Sequence, residues 1–136
     1  MKVRETMTRN VECVAPETTI EEAARKMKAL DIGFLPVCEN DRLIGTLTDR
    51  DIVLRAIADG RDLGTSVRDV MTNSVFYCFE DDDVEVCAEH MQDMEVRRIL
   101  VLNRDKRLMG VVSLGDLSRT DEKAAAHTLK DIAEAA

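Results

Sequence analysis

Aromatic residues are scarce in this sequence, and tryptophan is absent. One Tyr and three Phe occur in 136 residues, so a packed core has to be built from Val, Ile, Leu, Met and Ala. Apolar residues of all kinds make up 45% of the chain. That fraction and this length suit one globular domain or two small ones.

A basic surface and a long apolar run are also missing. Lys and Arg number 19 against 27 Asp and Glu, which gives a net charge of −8 and argues against a nucleic-acid surface. No apolar run approaches the roughly 18 residues that a membrane helix needs. The segment Met1–Glu5 lacks the apolar stretch of a signal peptide. We therefore expect a cytoplasmic protein that binds neither nucleic acid nor membrane.

Residue patterns typical of metal sites and catalytic sites are not found in the sequence. His90 and His127 have no Cys, Asp or Ser context that indicates catalysis. The run Asp81–Asp83 lacks the spacing of a calcium loop and suits a helix start. The cysteines show no C-x-x-C spacing, and we expect reduced thiols that pack as small apolar residues, with a redox role left open. These cysteines are Cys13, Cys38, Cys78 and Cys87. We expect no metal, no catalytic residue and no enzyme activity.

The sequence does contain one unit of about sixty residues twice. Val3–Thr8 matches Val67–Thr72, and Arg42–Leu43 matches Arg107–Leu108. Each copy predicts the order β-α-β-β-α, and two copies packed sheet to sheet would give an α+β fold. We expect the first repeat at 1–60, a linker at 61–66, the second repeat at 67–120, and an Ala-rich helical tail at 121–136.

Local patterns in the first copy predict where its helices begin and end. Either Thr18 with Glu21 or Thr19 with Glu22 makes a capping box at the start of the first helix. Pro36 predicts an edge or strand-end position for its strand. A second helix is expected from Arg50 to Ala58, stopped by Gly60.

The two copies share the pattern Gly-x-x-(Thr/Ser)-x-x-Asp, at Gly45–Asp51 and at Gly110–Asp116. A hydroxyl three residues before a carboxylate at a helix start is a capping geometry. The same place favours anions, and a carboxylate there can accept hydrogen bonds from two vicinal ribose hydroxyls. Simple helix capping and ribose binding both remain open for Thr48, Asp51, Ser113 and Asp116.

Together these residues resemble a tandem pair of cystathionine-β-synthase (CBS) domains, also called a Bateman module. The resemblance covers about residues 3–119. It rests on the Met-Thr steps at Met7 and Met71, on Gly33–Val37, and on the two Gly-x-x-(Thr/Ser)-x-x-Asp stretches.

This resemblance implies a stand-alone regulatory protein with ligand clefts between the two repeats. The ligand would be an adenosine-containing molecule such as AMP, ADP, ATP, S-adenosylmethionine or NAD, and a protein partner would sense the ligand state. The alternative is a scaffold that dimerises without a ligand because its clefts are degenerate. Apolar helix faces at Ile52–Ile57 and Val84–Met94 exceed what one small core needs, and predict an isologous homodimer.

Carried over to this sequence, the resemblance implies two unequal clefts. One cleft would use Ser113 and Asp116 with Thr8, Cys13, Ile32, Gly33 and Phe34. The other would use Thr48 and Asp51 with Thr72, Cys78, Val96, Arg97 and Arg98. Because the planar guanidinium of arginine suits phosphate, Arg50, Arg97 and Arg98 would make the Thr48/Asp51 cleft the better phosphate binder. A solvated surface role for Arg97 and Arg98 also remains open.

Overall fold

A computed structural model describes residues 1–120 and 132–133, so the predicted tail lies almost entirely outside the described residues. The secondary structure comprises helices α1 (Ile20–Leu30), α2 (Asp49–Ile52), α3 (Val84–Met94) and α4 (Leu114–Thr120), and strands β1 (Phe34–Glu39), β2 (Arg42–Thr48), β3 (Tyr77–Phe79), β4 (Arg98–Leu102) and β5 (Leu108–Ser113). Two small sheets combined with helices that precede, separate or follow their strands confirm the α+β class. Among the described residues, no helix has the length and apolar character that a membrane crossing requires.

The chain divides into two compact units, and each unit contains parts of both sequence repeats. The central unit is Glu12–Val75, and the terminal unit joins Met1–Val11 to the chain from Phe76 onward. Consequently the segment that opens each repeat packs with the body of the other repeat. Sequence similarity defines the repeats, whereas packing defines the units.

In the central unit, α1 precedes an antiparallel hairpin of β1 and β2. Thr19 caps α1 by accepting a hydrogen bond from the Glu22 N–H at 3.2 Å, which selects one of the two predicted caps. Thr18 Oγ1 accepts instead from the Ala15 N–H. Pro36 lies in β1, an edge strand of this two-stranded sheet, as predicted. Before α1, a single bridging residue, Val14, pairs with β1 where the second repeat has strand β3.

The second helix of the first repeat differs from its prediction. Sequence periodicity predicts one helix over Arg50–Ala58, but the α-helix covers only Asp49–Ile52 and continues as a π-helical turn over Val53–Ile57. The Ala58 N–H accordingly donates to the Val53 carbonyl. A wider turn of this kind leaves the same apolar spacing in sequence, so periodicity does not reveal it. Gly60, with φ of +75°, ends the segment as predicted.

In the terminal unit, β4 lies between a parallel neighbour, β3, and an antiparallel neighbour, β5. Helix α3 packs on this sheet and buries Val84, Cys87, Ala88 and Met91. Each unit has its own core of aliphatic, Met and Ala side chains, with Cys78 and Cys87 in that of the terminal unit. The expectation of a core without aromatic residues is therefore confirmed in both.

The opening segment of each repeat is fixed by a pair of backbone hydrogen bonds. The N–H of Thr72 donates to the Thr46 carbonyl and the N–H of Thr46 donates to the Thr72 carbonyl, both at 2.9 Å. Thr8 exchanges the same two bonds with Val111, at 2.9 and 3.0 Å. These bonds bring Thr72 beside β2 and Thr8 beside β5, the strands that lead into the shared motif.

Candidate functional site

In the central unit, Thr48 and Asp51 form reciprocal hydrogen bonds at the start of α2. The Thr48 N–H donates to Asp51 Oδ2, and the Asp51 N–H donates to Thr48 Oγ1, both at 3.0 Å. This arrangement is a capping box. An ionised carboxylate has two oxygens with about four lone-pair positions, so capping leaves Asp51 with capacity to accept further hydrogen bonds.

Two further side chains surround the Asp51 carboxylate. Thr72 Oγ1 lies 3.5 Å from Asp51 Oδ2, so the structure brings this predicted site residue to the motif. Arg55 Nε lies 3.8 Å from Asp51 Oδ1, and its guanidinium donates to the Met71 carbonyl at 3.2 Å. Arg55 is not among the site residues predicted from the sequence, although its position four residues after Asp51 indicates an ion pair on a helix.

The terminal unit repeats this geometry with Ser113 and Asp116. The Ser113 N–H donates to Asp116 Oδ2 at 2.9 Å, and the Asp116 N–H donates to Ser113 Oγ at 3.1 Å. Asp116 is only 7% exposed. Thr6 Oγ1 donates to the Asp116 carbonyl at 3.2 Å, and Thr8 is held beside Val111. Thr6 is not among the site residues predicted from the sequence.

Strand register and backbone hydrogen bonds place four more predicted residues beside the motif of their own unit. Phe34 pairs with Thr48 across the central hairpin, and Arg98 pairs with Ser113 across β4 and β5. The Asp49 N–H also donates to the Gly33 carbonyl at 3.0 Å, and the Leu114 N–H donates to the Arg97 carbonyl at 2.9 Å. The assignment of these residues across repeats stays a prediction.

We call these groups the central half-site and the terminal half-site. The central half-site contains Ile32, Gly33, Phe34, Thr48, Asp51, Arg55 and Thr72. The terminal half-site contains Thr6, Thr8, Val96, Arg97, Arg98, Ser113 and Asp116. A cavity of about 490 Å³ in the central unit borders Ile32, Gly33 and Asp49.

Three arginines predicted to bind phosphate are exposed. Arg50 follows Thr48 at the start of α2, whereas Arg97 and Arg98 precede and begin β4. Within the described residues, none of the three forms a salt bridge. Their guanidinium groups are therefore accessible to an anion.

The cysteines differ from one another more than the sequence predicts. The side chains of three cysteines are buried as expected, namely Cys38, Cys78 and Cys87. Cys13 is exposed; it comes just before Val14, the residue that pairs with β1. Burial, and to a smaller extent the neighbouring Cys13, raises the pKa of Cys38 to about 12.

His90 is not isolated, contrary to its sequence context. Its Nδ1 lies 3.3 Å from Cys78 Sγ, a contact created by packing of α3 on β3. His127 lies outside the described residues. In the part of the chain that the structure describes, no group of three or more His, Cys, Asp or Glu side chains is arranged to hold a metal ion.

Comparison with known proteins identifies the repeated unit. Residues 3–57 and 67–123 both match the model of the CBS domain. The CBS domain-containing protein YhcV of Bacillus subtilis is 40% identical over 116 residues, which span 85% of this chain and 82% of that protein. Hypoxic response protein 1 of Mycobacterium tuberculosis is 36% identical over 118 residues, which span 85% of this chain and 82% of that protein.

Solved structures give the same result. The crystal structure of Hypoxic Response Protein I with two coordinated zinc ions superposes with a TM-score of 0.78 at 35% identity, and the match covers 88% of this chain and 98% of that one. The CBS domain pair of MJ0100, in complex with 5-methylthioadenosine and S-adenosyl-L-methionine, gives 0.75 at 25% identity, covering 88% and 94%. CBSX2 in complex with AMP gives 0.74 at 25% identity, covering 95% and 98%.

Fold, repeats and half-sites together define a tandem CBS domain pair. The chain belongs to the CBS-domain family and contains two copies of the domain. The sequence resemblance is thereby confirmed.

Proposed function

We propose that this CBS pair is a regulatory module that binds an adenosine-containing nucleotide and transmits its ligand state to a protein partner. The observation that supports this most directly is the duplicated geometry of Thr48 with Asp51 and Ser113 with Asp116. The related pairs MJ0100 and CBSX2 were crystallised with adenosine-containing ligands. AMP, ADP and ATP are the candidates we favour, followed by S-adenosylmethionine and NAD.

In this proposal the two carboxylates recognise ribose. Each already accepts one N–H from its own motif, which fixes its orientation before a ligand arrives. Two vicinal ribose hydroxyls then donate to the same carboxylate, whose two oxygens can each accept more than one hydrogen bond. A fixed, charged acceptor loses little entropy on binding and makes a stronger hydrogen bond than a neutral one.

The arginines in this proposal recognise phosphate, and they make the two half-sites unequal. The sequence resemblance predicts the stronger phosphate site at Thr48 and Asp51. Our proposal assigns that preference to the terminal half-site, and the pairing of Arg98 with Ser113 across β4 and β5 supports this assignment. The terminal half-site would therefore prefer a phosphorylated ligand. The central half-site, with Phe34 opposite Thr48, offers an apolar surface suited to adenine.

The second candidate is a scaffold that acts only through self-association. Exposed apolar side chains on the π-helical turn favour it, since Val53, Leu54 and Ile57 are 54%, 47% and 53% exposed. Such a surface suits an isologous contact with a second copy of the chain. Dimerisation is also compatible with nucleotide binding, so the two candidates differ only in whether a ligand is required.

A thermal-shift screen separates these candidates. A ligand that binds only the native state raises the melting temperature by mass action. We expect AMP, ADP or ATP at millimolar concentration to raise it, and inorganic phosphate and ribose alone to leave it unchanged. A melting temperature that no adenosine-containing ligand raises would favour the scaffold.

A further inference from the structure

Cys78, Cys87 and His90 meet in the terminal unit at a place that the proposed function does not use. Cys78 lies in β3, whereas Cys87 and His90 lie three residues apart on one face of α3. Cys78 Sγ is 3.3 Å from His90 Nδ1, and Cys78 and Cys87 belong to the same buried core cluster. The His90 imidazole thus contacts the Cys78 thiol, and the Cys87 thiol lies one helical turn before His90 on the same face of α3.

Their surroundings give the two thiols different chemistry. Both are nearly fully buried, at 1% and 0% exposed, while His90 is half-buried and connects the cluster to solvent. The neighbouring Cys87 thiol, followed by the nearby His90, lowers the pKa of Cys78 despite its burial. The neighbouring Cys78 thiol and burial raise the pKa of Cys87, and Asp82 acts against ionisation of both thiols. Cys78 is therefore the better nucleophile, and Cys87 is placed to react second.

We propose that Cys78 and Cys87 are an oxidation site, at which a hydroperoxide joins the two sulfurs in an intramolecular disulfide. The Cys78 thiolate attacks a peroxide oxygen and the O–O bond breaks. The leaving oxygen takes the proton that Cys78 lost, by way of His90, and departs as an alcohol, or as water from hydrogen peroxide. The Cys87 sulfur then attacks the sulfenic acid on Cys78, and water leaves with the Cys87 proton. Two thiols thus lose two electrons in total, and the peroxide gains them.

The cysteines of the central unit provide the contrast. Burial, followed by the neighbouring Cys13, raises the pKa of Cys38 to about 12, and no histidine is among the groups that act on this thiol. Replacing both by serine leaves Cys78 and Cys87 as the two cysteines of the chain. The variant Cys13→Ser/Cys38→Ser therefore isolates the proposed reaction in the full-length protein.

The test treats this variant with hydrogen peroxide under native conditions, after its melting curve has been checked against the parent protein. One equivalent of peroxide should remove both thiols, and peptide mass mapping should find a Cys78–Cys87 disulfide that dithiothreitol reverses. Adding Cys87→Ala should stop the reaction at a Cys78 sulfenic acid, which dimedone traps. Adding His90→Gln should slow thiol loss roughly several-fold, since oxidation follows thiolate character.

Four outcomes would overturn the proposal. The first is that the thiols stay reduced until the protein is denatured, and the second is that Cys78 is oxidised to a sulfinic acid although Cys87 is present. The third is that the disulfide joins two chains. The fourth is that the His90→Gln variant reacts as fast as its parent.

Discussion

Gly45 and Gly110 are the residues at which the opening segment of one repeat contacts the body of the other. A Cβ at Gly45 would lie 2.7 Å from the Thr72 carbonyl oxygen, and one at Gly110 would lie 2.5 Å from the Thr8 carbonyl oxygen. Both carbonyls belong to backbone that is fixed by hydrogen bonds. Glycine is therefore required by the close approach of two segments of the chain.

This requirement predicts the effect of adding a methyl group. Gly45→Ala and Gly110→Ala should each lower the free energy of unfolding by about 1–3 kcal/mol, the usual cost of overpacking. Gly64→Ala is the matched control, since its Cβ would meet only the Asp62 side chain, at 3.3 Å. Urea denaturation measures all three, and a Gly64 variant as unstable as the other two would contradict the explanation.

Arg97 and Arg98 allow a test of phosphate recognition. Changing both to Ala should weaken ATP binding roughly ten-fold, because charge-assisted hydrogen bonds are lost, and should leave adenosine binding nearly unchanged. With a net charge of −8, the protein repels polyanions at long range, so local cations are needed. Arg61→Ala, an exposed change in the central unit, is the control. Calorimetry showing equal losses for ATP and adenosine would mean that the two arginines stabilise structure.

At this scale the sequence predicts contacts between near neighbours and misses those made by packing. The three-residue spacing of Thr48 and Asp51 predicts their reciprocal bonds, because capping is local. The contact of His90 with Cys78 is absent from any local pattern, since it requires α3 to pack on β3. The pairing of Arg98 with Ser113 likewise depends on the register of β4 and β5. Because the sequence does not give this register, it does not determine which motif lies beside Arg98.

At the scale of single elements, α1 shows how a few side chains define a helix. Thr19 caps its start, Glu21 and Glu22 lie in its first turn, and Asp31 ends it in the left-handed conformation. Negative charge at a helix start is favourable because the N-terminal N–H groups have no helical partner. The apolar positions Ile20, Ala23 and Met27 then form the buried face.

The cap gives a prediction at this scale. Thr19→Ala should lower the free energy of unfolding by about 1 kcal/mol, whereas Thr19→Ser keeps the hydroxyl and should be nearly neutral. Chemical denaturation followed by circular dichroism measures both. If the alanine and serine variants are equally destabilised, the loss comes from the missing methyl group and not from the cap.

Periodicity in the sequence predicts well whether a segment is a helix or a strand. It does not predict the hydrogen-bond pattern of a helix or the partner against which a segment packs. Apolar spacing predicts α1 and α3 and the strands that follow them. It does not distinguish the π-helical turn Val53–Ile57 from an α-helix. Periodicity does not reveal the exchange of opening segments either, because Met7–Thr8 and Met71–Thr72 look alike and would fit either repeat. Only the family resemblance pairs Thr8 with the Ser113 motif and Thr72 with the Thr48 motif.

At the scale of the whole molecule, one apolar surface is exposed within the part of the chain that the structure describes. Val53, Leu54 and Ile57 lie on one turn and are all about half exposed. Burying such side chains against a second copy would be favourable by roughly 25 cal/mol per Å² of apolar surface. We therefore expect a homodimer that uses this turn.

A charge placed on that surface tests the expectation. Ile57→Glu should shift the protein from dimer to monomer at a few tens of micromolar, because a desolvated carboxylate opposes association. Leu63→Glu, at a residue that is 52% exposed but outside the turn, should leave the dimer intact. Multi-angle light scattering distinguishes the states, and a parent protein that is monomeric at this concentration would contradict the prediction.

The most direct test of nucleotide binding is isothermal titration calorimetry with AMP on the parent protein and on Asp51→Ala, Asp116→Ala and the double variant. A charged hydrogen bond is worth about 1.5–3 kcal/mol, so each single change should weaken one half-site roughly ten-fold or more, and the double variant should lose saturable binding. Asp59→Ala, at an exposed carboxylate near the end of the same helical segment, should bind like the parent. Unchanged AMP binding in the folded double variant would show that these carboxylates do not recognise ribose, and the absence of binding by AMP, ADP and ATP to the parent would contradict the proposed function itself.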